Sequence, residues 1–130
     1  MRGINGLVLV VIGLLHCLAL FLPGAIGFPG IWSEILDAGL VDAVSGKALR
    51  IWGYYWFLMP GFVLIVLGML CAWVERSLMR PVPAPVGWAL VLCAVFGIVL
   101  DTDTGFWFVL FVAISMIVAA KRGAAARERT

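Results

Sequence analysis

His16 is the only histidine of the chain, and it lies inside an apolar run. An ionisable side chain within a membrane-length apolar segment is costly to bury, so its default reading is functional. Its ring falls six residues before the end of that run at Leu22, about 9 Å along a helix. Three further groups are positioned to join it. These are Glu34 in the segment that follows, Asp101 in a later short turn, and Tyr54 or Tyr55 near the start of a second apolar run. Together they could line an outward-facing polar depression that binds a cation, relays a proton or holds a polar headgroup. Each has a plainer role beside that one, and the plainer role is favoured. A neutral imidazole can hydrogen-bond a backbone carbonyl or a Tyr hydroxyl. Glu34 and Asp37 suit the solvated face of a surface helix. Asp103 or Thr104 can serve as an N-cap for the helix that follows.

Four apolar stretches must position these groups: Ile4–Leu22, Ile51–Val74, Val86–Leu100 and Gly105–Ala120. The hydrophobic fraction of 65% and charged fraction of 12% exceed what a soluble domain of this size could bury, since soluble domains carry about 25% charged residues. Seven of the nine basic residues (Arg2, Arg76, Arg80, Lys121, Arg122, Arg127, Arg129) fall in alternate flanking segments, leaving Lys47 and Arg50 on the other side. By the positive-inside rule this predicts an all-α integral membrane protein. It has four transmembrane helices, both termini in the cytoplasm, and a basic cytoplasmic tail over residues 121–130. The expected location is a bacterial cytoplasmic (inner) membrane.

Between spans 1 and 2, Ile31, Trp32, Ile35, Leu36, Leu40, Ala43 and Val44 recur at helical spacing, with Glu34, Asp37 and Asp42 between them. This predicts a short amphipathic helix on the outer surface, stopped at Gly46. Pro60 predicts a kink in span 2, because it removes a backbone donor, and a neighbouring group must then satisfy the freed carbonyl. Pro81, Pro83 and Pro85 make the inner linker stiff. Spans 3 and 4 are short and joined only by Asp101–Thr104, so they form a helical hairpin whose outer turn falls several Å short of the surface.

Small residues mark the expected helix contacts: Gly13 and Cys17 on span 1, Gly68 and Ala72 on span 2, and Ala89, Cys93 and Gly97 on span 3. They leave open whether packing is within the bundle or between copies. Cys17, Cys71 and Cys93 match no zinc or redox spacing. Glu75 and Arg76 are expected to end span 2 by pairing locally or snorkelling. No phosphate loop, metalloprotease pair or Ser-His-Asp set is present, so no catalytic residue, metal or cofactor is assigned.

Several short motifs resemble a domain-of-unknown-function family of small bacterial four-span membrane proteins. They are Gly6 with Gly13, Leu14, Leu15 and His16; Glu34–Gly39; Trp56, Phe57, Gly61 and Gly68; Trp73, Val74 and Glu75; Gly87 and Trp88; and Gly105, Phe106 and Trp107. The resemblance covers nearly the whole chain and implies no activity or substrate. The layout is loosely similar to DoxX-like four-helix membrane proteins. Small multidrug-resistance transporters are a poor match, since they rely on a Glu within span 1 and this span has none.

The expected function is that of a small structural, accessory or self-associating membrane component. Its partners would be the lipid bilayer and a homo-oligomer or larger membrane complex, with no nucleic acid. The alternative is a ligand-binding or proton-coupled transport protein using His16, Glu34 and Asp101. Membrane enzyme activity ranks last, for want of a nucleophile or redox motif.

Overall fold

A computed structural model describes residues 4–22, 28–41, 43–44 and 48–127. It is all-helical across these residues, in the order α1 (Asn5–Phe21), α2 (Ile31–Asp37), α3 (Leu49–Ser77), α4 (Ala84–Leu100) and α5 (Phe106–Arg127). The four apolar stretches become α1, α3, α4 and α5. Helix α3 and helix α5 are long and apolar enough to cross a membrane, whereas α1 and α4 are apolar but shorter, at 17 residues each. Only 17% of the most apolar window of α3 and 28% of that of α5 is buried within the protein. A helix at the core of a soluble protein would instead be mostly covered. Here Leu14, Leu18, Val63, Val66, Leu92, Val99 and Phe111 all face outward.

Two antiparallel hairpins make up the bundle, α1 with α3 and α4 with α5, and they meet along α1 and α5. Glycine sets the approach of the first hairpin. A Cβ on Gly6 would collide with the backbone of Ala72, and one on Gly13 would stand 2.7 Å from the Gly61 carbonyl oxygen. Gly68 faces the backbone of Gly6 and Val10 in return. In the second hairpin, Gly87 receives Ile117 and Gly97 receives the ring of Phe106. The core between the hairpins is apolar and includes Leu9, Cys71, Leu90, Ala94, Val109, Ala113 and Met116.

The two hairpins are staggered. Asn5 at the start of α1 bonds Ser115 in the middle of α5. Phe106 lies nine residues back along α5, level with about Leu14, so it stops roughly 10 Å short of the level of Phe21 at 1.5 Å per residue. At the opposite end α5 runs past Asn5 by a similar reasoning, and its residues beyond Ala120 continue as helix to Arg127 rather than ending with the apolar stretch.

The surface helix is shorter than its pattern suggests. It ends at Asp37, where the Ala38 and Gly39 N–H groups bond back to Glu34 and Leu36 and Gly39 takes φ 86°. This left-handed turn stops the helix before Leu40, which the periodicity had placed on it. Ala43 is buried outside the helix, and with Leu40 and Val44 it helps line a pocket of about 220 Å³ against Ile35, Ile51, Tyr54, Tyr55 and Leu58. The expected stop at Gly46 lies outside the described residues, as does Asp42.

Candidate functional site

Four polar side chains of the apolar helices, Asn5, His16, Glu75 and Ser115, tie one helix to another. Glu75 is the one buried charged residue in the described core, only 7% exposed near the C-terminal end of α3. Its Oε2 accepts the backbone N–H of Gly6 at 3.1 Å, and its Oε1 accepts the Asn5 side-chain amide at 3.2 Å. The Asn5 carbonyl oxygen in turn accepts the Ser115 hydroxyl at 2.8 Å. One network therefore joins α3, α1 and α5. Its logic is that of a helix cap. The first N–H groups of α1 have no partner within their own helix, and α1 has no side-chain cap of its own. The Glu75 carboxylate supplies the acceptor from another helix, at the end where the helix dipole favours negative charge. This corrects the expectation that Glu75 pairs locally or snorkels. The signal lay in the topology, because the first turn of α1 and the last turn of α3 share a level in an antiparallel hairpin.

His16 is partly buried, and its Nε2 donates to the backbone carbonyl of Phe57 at 2.7 Å, which places the ring proton on that nitrogen. The imidazole also stacks on the Phe57 ring, with centroids 4.7 Å apart and planes 12° from parallel. Phe57 precedes Pro60 by three residues inside α3. Pro60 has no N–H, so the Trp56 carbonyl loses its helical donor and the adjoining turn is loosened. His16 thus braces α3 at its proline, and Gly61 leaves the room, since a Cβ there would stand 2.5 Å from Cys17 Sγ.

The other groups of the expected outward depression have separate partners. Glu34 forms an ion pair with Arg50, whose guanidinium also donates to the Pro29 carbonyl. Asp101 Oδ1 accepts the Asp103 backbone N–H at 3.0 Å, so the carboxylate that closes the turn is Asp101's and not Asp103's. Tyr54 is buried, with Phe28 and Trp32 packed edge-on against it, and its hydroxyl has no partner among the described residues. Tyr55 is exposed and packs on Trp56. No hydrogen bond or ion pair joins His16, Glu34 and Asp101 among the described residues. No three His, Cys, Asp or Glu groups among these residues are placed to hold a metal ion.

The small residues divide into two sets. Gly13, Cys17, Gly68 and Ala72 pack within the α1–α3 hairpin, and Gly97 packs within α4–α5. Ala89 and Cys93 face outward from α4.

No curated protein and no solved structure is significantly similar to this chain. Residues 1–123 match the model of a family of unknown function, DUF6463, and the chain belongs to that family.

Proposed function

We propose that this protein crosses a bacterial cytoplasmic membrane four times, with both termini in the cytoplasm, as a structural or accessory component associating with itself or with other membrane proteins. The observation that carries this reading is the use made of its polar side chains. Glu75, Asn5, Ser115 and His16 each hold one helix to another. Interhelical hydrogen bonds of this kind stabilise helix association in lipid. The outward-facing apolar side chains of all four long helices support lipid contact, and the sequence bias of basic residues supports the orientation.

Proton-coupled transport or ligand binding through His16, Glu34 and Asp101 is the weaker reading, because those groups are engaged separately. A His16→Ala protein that stays folded but loses a pH-dependent flux would favour it.

Extraction in a mild detergent tests the main reading. A defined oligomer or a retained membrane partner is the expected result. A monodisperse monomer without a partner would count against it. Orientation is checked by fusing to the C-terminus a fluorescent reporter that matures only in the cytoplasm. A dark fusion at normal protein levels would overturn the proposed topology.

A further inference from the structure

Four cations gather at one end of the bundle. The contacts between Gly6 and Ala72, Asn5 and Ser115, and Gly123 and Pro81 fix the relative heights of α1, α3, α5 and the α3–α4 linker. In that register Arg76 at the end of α3, Arg80 in the linker, and Lys121 and Arg122 on α5 lie within about one helical turn of one another. All four are exposed and have no ion-pair partner among the described residues. The one acidic group described at this end, Glu75, is buried and bonded to Asn5 and Gly6, so it does not neutralise them.

A second feature shares the rim. Between Arg76 and Arg80 the chain presents Leu78 and Met79, which are 49% and 64% exposed. Met79 has φ 52°, the left-handed conformation that a side chain other than glycine's rarely adopts. Two bulky apolar side chains held outward by a strained turn and bracketed by cations suit neither water nor a protein core. They do suit the boundary between headgroups and acyl chains. Trp73 and Trp88 are exposed one to two turns further toward the middle of the bundle, where interfacial aromatics belong.

We propose that the rim formed by Arg76, Arg80, Lys121 and Arg122 docks on anionic phospholipid headgroups, with Leu78 and Met79 inserted beneath them. The charge complementarity selects an acidic leaflet over a zwitterionic one, with a factor of about five for each engaged base. This rests on the membrane-spanning reading above.

The test is tryptophan quenching in vesicles of phosphatidylglycerol and phosphatidylcholine mixed in equal amounts, with bromine on the acyl chains of one lipid or the other. Both leaflets carry both lipids, so the orientation of insertion does not matter. The expected result is that brominated phosphatidylglycerol quenches more than brominated phosphatidylcholine. The excess should disappear when Arg76, Arg80, Lys121 and Arg122 are all replaced by Gln. Equal quenching by the two lipids in the wild-type protein overturns the lipid preference alone. Absence of quenching by either overturns the membrane-spanning reading with it. Should the fourfold variant fail to fold, molar salt added to the wild type serves instead, because it screens headgroup attraction. An excess unchanged by salt would also overturn the proposal.

Discussion

The Glu75 carboxylate caps the Gly6 backbone N–H at 3.1 Å across 69 positions of sequence. The same carboxylate accepts from Asn5, so both of its oxygens are used at the first turn of α1. Gly6 must be glycine for this to happen, since a Cβ there would meet the backbone of Ala72. Cap and close approach are therefore one feature, and each can be broken separately.

Glu75→Ala removes the acceptor and leaves the Asn5 amide and the Gly6 N–H without it. The expected cost is about 1–3 kcal/mol. Glu75→Gln keeps one acceptor oxygen and should lose less. Thermal unfolding in mild detergent, followed by circular dichroism, ranks the three proteins, and an unaltered midpoint for Glu75→Ala would contradict the cap.

Gly6→Ala should force α1 away from α3, at an expected cost of about 2 kcal/mol or more, in line with overpacking of a close contact. Gly105→Ala is the control, because a Cβ there meets nothing within 4 Å. The same unfolding measurement should show a lower midpoint for the first and little change for the second. Equal behaviour of the two would mean that the α1–α3 approach is wrongly placed.

His16→Ala should destabilise by about 1 kcal/mol, the usual worth of an interhelical hydrogen bond. Because the bond braces α3 beside Pro60, the loss should shrink in a Pro60→Ala background, where the helix regains its own donor. A double-mutant cycle measures this as a coupling above about 0.5 kcal/mol. Strict additivity would separate His16 from Pro60.

Tyr54→Phe removes a buried hydroxyl that has no partner among the described residues. Deleting such a group is expected to be neutral or to stabilise by up to about 1 kcal/mol. A clear loss of stability would reveal a bond to the hydroxyl from residues outside those described.

Arg50→Ala breaks the ion pair with Glu34. Both side chains are well exposed, 47% and 38%, so solvent screening limits the expected loss to under about 1 kcal/mol. Molar salt should lower the wild-type midpoint toward that of the variant. A large loss that persists in salt would point instead to the bond from Arg50 to the Pro29 carbonyl.

The sequence by itself determined the four long helices and their ends to within a few residues at most boundaries, because uninterrupted apolar runs bounded by Pro, Gly and charge leave little choice. Its small-residue pattern named Gly13, Cys17, Gly68 and Ala72, which lie between α1 and α3, but equally Ala89 and Cys93, which face outward from α4. Periodicity failed at α2, where the left-handed Gly39 overrode an apolar pattern that continued to Val44. It also gave no sign that α5 would run on through Lys121 and Arg122 to Arg127. Only the tertiary structure decided where the polar groups went. His16 and Glu34 find their partners, Phe57 and Arg50, where packing brings another helix against them, while Asp101 closes its own turn two residues on. Asn5 and Ser115 carried no signal as isolated polar residues. They became a tie because glycine contacts set the height of one helix against the next, and hydrogen bonds form only where that height is right.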